Sequence, residues 1–168
     1  MRNKLILFVM LLSLVNCQKS EQIDKQNSKD AKIIEVAPTL KSKLVLVLEE
    51  NQKIHELLMN ESGGIPDVTS LRKRLSEAKI EVKQEELQLL LQKMQKNLEK
   101  IDTQDKKKFF TTYSDFSVSL ANLNAMTNLN AGFHKFHCPM VAKYWVAKGK
   151  KIQNPYAPEM RECGELIK

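Results

Sequence analysis

The sequence predicts an all-α protein, an antiparallel bundle of three to four helices with an irregular C-terminal segment packed on it. Leucine, lysine, glutamate and glutamine dominate the middle of the chain, and only five glycines and five prolines occur in its 168 residues. This composition favours helices over folds with many turns, such as sandwiches and propellers. Apolar side chains also recur every three or four positions, which is the spacing of a helix with one buried face.

The first two helices are predicted by two apolar stripes and their end signals. Pro38 and Thr39 make a helix entry, and the paired glycines Gly63 and Gly64 favour a stop. The first stripe consists of Leu40, Leu44, Val47, Leu48, Ile54 and Leu58. Asp67 is a candidate N-cap for the second helix. Its stripe consists of Val68, Leu71, Leu75, Ala78 and Val82.

Two further stripes complete the predicted bundle. The third consists of Leu87, Leu91, Met94, Leu98 and Ile101. The pattern leaves open whether it continues the second helix or follows a bend between Glu81 and Gln84. Asp102 and Thr103 can cap a fourth helix, which we expect to end in the asparagines before Gly132. Its stripe consists of Phe109, Tyr113, Phe116, Leu120, Leu123 and either Met126 or Thr127.

Residues 1–17 resemble a bacterial lipoprotein signal peptide. Arg2 and Lys4 give a positive start, and the apolar run Leu5–Val15 is too short to span a bilayer as a helix. The run leads into Leu-Val-Asn-Cys, which resembles a lipobox, so we expect Cys17 to be lipidated and to become the mature N-terminus. An ordinary signal peptide with an incidental cysteine is the alternative.

The segment after the signal peptide is predicted to be a tether. Residues 18–38 are polar, and we expect them to link the lipid flexibly to a domain of residues 39–168. The protein would be exported and would face the periplasm or the cell surface, with the membrane as partner through its lipid anchor. Export argues against nucleic acid as a partner. The net charge of +7 predicts a solvated basic surface or, alternatively, contact with an anionic membrane.

The C-terminal segment, residues 133–168, concentrates side chains that suit soft metals. It holds two of the three cysteines and two of the three histidines. Cys138 lies two residues before Met140, and Met160 lies three before Cys163, so each pair can share one face of the chain. Thiolate, thioether and imidazole donors together suit Cu(I). The expected metal ligands are Cys138 and Cys163, supported by Met140, Met160 and His137.

A disulfide between Cys138 and Cys163 is the alternative and requires no metal. It would close a loop of about 25 residues and stabilise the fold by roughly 3.5 kcal/mol in the loop-entropy model. Exported proteins keep such bonds because their compartment is oxidising. The protein would then be a structural or interaction lipoprotein, and the two forms can coexist as redox states.

Catalysis is not expected from this sequence. His137 and Cys138 are adjacent, and a cysteine activated by a histidine can act as a nucleophile. Adjacent residues seldom point at each other, and the sequence offers no third group that would orient the histidine. We therefore predict that the protein is not an enzyme.

The motifs of the C-terminal segment also resemble a known family. They are H-C-P-M at His137–Met140, a tryptophan at Trp145, I-Q-N-P-Y at Ile152–Tyr156 and M-R-E-C-G at Met160–Gly164. Their order and spacing are similar to a bacterial domain of unknown function. That domain occurs at the C-terminus of CusB-like heavy-metal efflux adaptors and alone in small exported proteins. The resemblance covers Leu40–Lys168 and implies a periplasmic helical domain that handles copper or a related metal, with a heavy-metal efflux complex as partner.

Overall fold

The computed structural model describes residues 33–60, 64–129 and 131–167, which form a mixed α/β structure. Four helices come first: α1 (Pro38–Met59), α2 (Thr69–Lys79), α3 (Glu85–Glu99) and α4 (Lys106–Thr127). Three strands follow: β1 (Phe133–Cys138), β2 (Lys143–Lys148) and β3 (Glu165–Ile167), with a 3₁₀ turn at Pro158–Met160 before β3. The predicted signal peptide, residues 1–17 with Cys17, and most of the tether lie outside the described residues. None of the helices in the described part combines the length and apolarity needed to cross a membrane.

Each of the four apolar stripes is buried and centred on one helix, although Val68, Val82 and Ile101 lie just outside the helix ends. The second and third stripes belong to separate helices, because α2 ends at Lys79 and α3 begins at Glu85.

The N-cap of α4 lies further along the chain than predicted. Asp105, and not Asp102, accepts hydrogen bonds from the backbone N–H groups of Lys107 and Lys108, at 3.0 and 3.1 Å. The helix therefore starts three residues later than the first aspartate indicates.

The all-α prediction is wrong, because the segment predicted to be irregular contains a three-stranded antiparallel sheet in the order β2-β1-β3. β1 and β2 form a hairpin in which Phe136 lies opposite Trp145. β3 pairs with the other side of β1 and places Leu166 opposite Phe136. Both strands of the hairpin contain aromatic residues, which favour strands, and Pro139 disfavours a helical conformation at the residue before it.

Side chains bond to the backbone groups on the outer edge of β2 at Tyr144 and Val146, so these groups are not free to pair with another strand. Asn51 on α1 donates from Nδ2 to the carbonyl of Val146 at 2.9 Å. Ser114 on α4 accepts from the backbone N–H of Tyr144 at 2.9 Å, and the Tyr156 hydroxyl donates to the Tyr144 carbonyl at 2.6 Å. An edge strand satisfied in this way is fixed to the helices and protected from pairing with other chains.

One core extends from the helices through the sheet. Trp145 is fully buried and stacks on Phe136 with ring centroids 5.4 Å apart. Tyr156, in the loop after β2, packs edge-on against Trp145 at 6.2 Å and against Phe110 of α4 at 5.2 Å. The C-terminal segment is thus an integral layer of the core.

Candidate functional site

Cys138 and Cys163 meet at one end of the sheet. Cys138 is the last residue of β1 and is buried. Cys163 is half-buried and is joined to the start of β3 at Glu165 by Gly164. Their sulfur atoms are 2.7 Å apart, and both cysteines are free thiols in this structure. Of the site residues predicted from sequence, these two are the pair that the fold brings into contact.

The loop that returns Cys163 to Cys138 is organised by Asn154, which is fully buried. Its backbone N–H donates to the Arg161 carbonyl at 2.8 Å, and its side-chain Nδ2 donates to the Cys163 carbonyl at 3.1 Å. Its side-chain Oδ1 accepts from the backbone N–H of Tyr156 at 2.9 Å. One asparagine therefore closes the loop across its base and fixes the backbone of Cys163.

Gly164 allows the chain to pass close to the sheet beside the cysteines. Its φ of +151° lies in a region that side-chain-bearing residues rarely adopt. A Cβ atom at this position would lie 2.6 Å from the Trp145 ring and 3.1 Å from the His137 carbonyl oxygen. The backbone of Cys163 can therefore reach Cys138 only with a glycine at the next position.

The surroundings of Cys138 favour its thiolate. Burial opposes ionisation, but hydrogen bonds from Cys163, from the backbone N–H groups of Val141 and Met140, and from Asn154 outweigh it, so the pKa of Cys138 lies below its ordinary value. The pKa of Cys163 is raised, first because its thiol proton is held by the Cys138 sulfur and second by burial. The pair therefore ionises first at Cys138, with the remaining proton on Cys163.

The three supporting ligands predicted from sequence are placed differently. Met140 lies in the turn after β1 with 70% of its surface exposed, and Met160 ends the 3₁₀ turn, half-buried. His137 lies on the opposite face of β1 from Cys138, because neighbouring strand residues alternate. Its ring stacks on Tyr144 at 4.4 Å, and its Nδ1 is 3.3 Å from Glu165 Oε1. His137 is therefore engaged on the other side of the sheet.

The donor set at the cysteine pair is small. Among residues 33–60, 64–129 and 131–167, no group of three or more histidine, cysteine, aspartate or glutamate side chains is arranged to hold a metal ion. A metal at this site would take two thiolates from Cys138 and Cys163, and its remaining ligands would have to be thioethers such as Met140 or Met160. This set suits Cu(I) better than zinc, which takes four nitrogen, sulfur or oxygen donors in structural sites.

Sequence reasoning missed the role of Asn154, which entered only as part of the I-Q-N-P-Y motif at Ile152–Tyr156. A signal was present, because asparagine can bond to the backbone two residues onward, as it does here to Tyr156. The bond to Cys163 has no such local signal, because it depends on the path of the whole loop.

Comparison with protein-family models, with curated proteins and with solved structures finds no match for this chain. The family resemblance of the C-terminal motifs therefore stays a prediction.

Proposed function

We propose that this protein binds a soft metal ion, Cu(I) in the first place, through Cys138 and Cys163. In this proposal it is an exported, lipid-anchored accessory to heavy-metal efflux or homeostasis. The observation that carries the proposal is the contact between two free thiols, one of them surrounded by N–H donors. Such donors stabilise a thiolate, which is the form of cysteine that binds metal.

The geometry also indicates which cysteine moves when a metal binds. Two thiolates on one tetrahedral metal, each about 2.3 Å from it, lie roughly 3.8 Å apart, so the pair must open from its separation of 2.7 Å. Cys138 is held in β1 and buried, whereas Cys163 is half-buried and follows a short 3₁₀ turn. The side chain of Cys163 is therefore the one that rotates, while Asn154 holds its backbone. Met140 is exposed beside the pair.

A second candidate function is favoured by the same short separation. At 2.7 Å the sulfur atoms are closer than two metal-bound thiolates. Thiol–disulfide exchange with an oxidised partner, which would take up the two electrons and two protons, would join them in a disulfide. The protein would then be a structural or interaction lipoprotein in which the bond fixes the C-terminal segment. In this case the protein would carry the bond as isolated, and this oxidised form would have no thiolate to bind Cu(I).

One experiment separates the two functions. The compact unit Lys32–Lys168 is reduced, its thiols are counted, and it is titrated with Cu(I) against a competing chelator. We expect one Cu(I) per chain, and a loss of affinity of about a hundredfold or more in Cys138→Ser and in Cys163→Ser, more than the loss of an outer-shell partner causes. Met94→Leu, which changes a buried side chain of α3, is the control for a core substitution and should bind as tightly as the parent.

Two outcomes would contradict the metal proposal. One is an unchanged Cu(I) affinity when both cysteines are replaced by serine, because the metal would then bind elsewhere. The other is an absence of Cu(I) binding by the reduced protein, together with no free thiols in protein purified without reductant. The second outcome would support the disulfide-linked lipoprotein instead.

A further inference from the structure

The turn of the β1–β2 hairpin consists entirely of apolar residues. Its sequence is Pro139-Met140-Val141-Ala142, and three of these four residues are exposed. Met140 has the second-highest exposure among the large apolar side chains in the described part, at 70%. Hairpin turns are normally built from glycine, asparagine, aspartate and serine. An exposed apolar turn therefore indicates a surface that is covered by a binding partner.

The same hairpin is strongly basic. Residues 133–151 contain five lysines and no aspartate or glutamate. No ion pair involves any of these lysines in the part of the chain that the structure describes. The five are Lys135, Lys143, Lys148, Lys150 and Lys151.

Aromatic rings lie between these charges. The Lys135 ammonium is 4.6 Å from the centroid of the Tyr144 ring, and the Lys148 ammonium is 5.9 Å from that of Phe133. Lys143 and Lys148 stand at the two ends of β2, about 16 Å apart for five steps along a strand, and point to opposite faces. Lys135 and Lys148 share the face of Tyr144. The remaining two lysines follow closely after β2.

We propose that the β1–β2 hairpin docks on an anionic phospholipid bilayer. The apolar turn enters the boundary between headgroups and acyl chains, and the lysines bind lipid phosphates. An acidic protein would match the lysines but would leave the exposed apolar turn without a function. A bilayer interface matches both, because it combines phosphates with an apolar layer and favours rings such as Tyr144 at its boundary.

This contact is additional to the proposed lipid anchor and independent of metal. Membrane attachment by acyl chains is strengthened by a basic patch that binds anionic lipids. A domain tethered to the same bilayer needs only weak affinity of its own, because tethering raises its effective concentration at the surface. The docked hairpin would hold Cys138, at the end of β1, close to the membrane.

Vesicle binding tests the proposal directly. The metal-free unit Lys32–Lys168, which carries no lipid, is sedimented with vesicles of phosphatidylcholine and phosphatidylglycerol, and with pure phosphatidylcholine vesicles. We expect binding to the anionic vesicles only, weakened by salt because exposed charges are screened. An absence of binding to anionic vesicles at low salt would overturn the proposal.

The apolar turn is tested at Ala142, which has a φ of +49°. Asparagine and aspartate tolerate this left-handed conformation, so Ala142→Asp and Ala142→Asn should both keep the fold. We expect Ala142→Asp to lower vesicle affinity by about tenfold, because a carboxylate opposes insertion and repels phosphates. Ala142→Asn should lower it less. Unchanged affinity in Ala142→Asp would show that the turn does not enter the bilayer.

The lysines are tested with two double variants of equal charge. One carries Lys150→Glu and Lys151→Glu after β2, and the other carries Lys93→Glu and Lys96→Glu on α3, where both lysines are also exposed. We expect the hairpin variant to lose about tenfold or more in affinity, and the α3 variant to lose much less. Equal losses would mean that net charge alone attracts the protein, and would overturn the hairpin as the docking site.

Discussion

The side chain of Asn154 acts on both members of the cysteine pair. It donates to the Cys163 carbonyl at 3.1 Å and accepts from the backbone N–H of Tyr156 at 2.9 Å, and it is one of the groups that lower the pKa of Cys138. Because Asn154 is fully buried, no water can replace these bonds when its amide group is changed. Asn154 is thus a positioning residue for the proposed metal site.

We predict that Asn154→Asp lowers both stability and Cu(I) affinity. The carboxylate keeps the acceptor for Tyr156 but loses the donor to Cys163, which should cost about 1–3 kcal/mol in the free energy of unfolding. A negative charge beside Cys138 also raises the pKa of that thiol, so fewer thiolates are present at neutral pH. Thiolate absorbance against pH and the competitive Cu(I) titration measure the two effects. An unchanged thiol titration would exclude a positioning role for Asn154.

The sequence predicts that the two cysteines lie together, but it does not predict where the side chain of His137 lies. Cys138 and Cys163 were predicted to act together from donor chemistry and compartment alone, and they are in contact. His137 was grouped with them because it is adjacent in sequence. Strand geometry turns its side chain to the opposite face, where it meets Tyr144 and Glu165.

His55 connects the first helix to the loop that carries the site. It is buried on α1, and its Nε2 donates to the Gln153 carbonyl at 2.8 Å. Its pKa lies below the ordinary value of 6.5, because burial disfavours the charged ring more than the bond to Gln153 and the charge of Glu56 favour it. Burial, and not the bond to Gln153, therefore makes the folded state favour the neutral imidazole.

This shift predicts that stability decreases in mild acid. Below pH 6.5 the unfolded chain protonates His55, while the folded chain resists until a lower pH, so the unfolded state binds more protons. The contribution of His55 is full above pH 6.5 and falls as the pH decreases, by at most about 1.4 kcal/mol per pH unit. His55→Gln keeps a donor for Gln153 but does not titrate. The free energy of unfolding, measured with denaturant from pH about 7.5 to about 5.5, should decrease less steeply with falling pH in the variant than in the parent. An equal decrease in both proteins would contradict the role of His55.

The helices could be predicted from sequence, whereas the strands could not. Each helix supplies a long apolar stripe at a period of 3.6 residues, which is hard to mistake. β1 and β2 have six residues each, and their burial does not alternate along the whole strand. Both α1 and α4 contact β2, and α4 also contacts β1. Without alternation, a short strand in a segment with three prolines resembles an irregular chain.

At the scale of the whole molecule, the sheet completes the core of the helices. Asn51 of α1 is fully buried, and its Nδ2 is paired with the backbone of β2 at Val146. Phe110 and Tyr113 of α4 pack against Tyr156. Removing the C-terminal segment would expose these rings and leave a buried amide group without its partner, both of which are costly.

We therefore predict that residues 32–129, which contain all four helices, do not form a stable bundle alone. The loss should exceed about 3 kcal/mol, the cost of deleting a single buried aromatic side chain, because Trp145, Phe136 and Tyr156 are all removed. The expected result is a lower, broader unfolding transition and strong binding of a dye that reports exposed apolar surface. The unit Lys32–Lys168 with Cys138→Ser and Cys163→Ser is the control, because it keeps the sheet without a link between the cysteines. If residues 32–129 unfolded with the same midpoint as this control, the helices would be an independent scaffold, and the sheet with its cysteine pair would be a separate module resting on it.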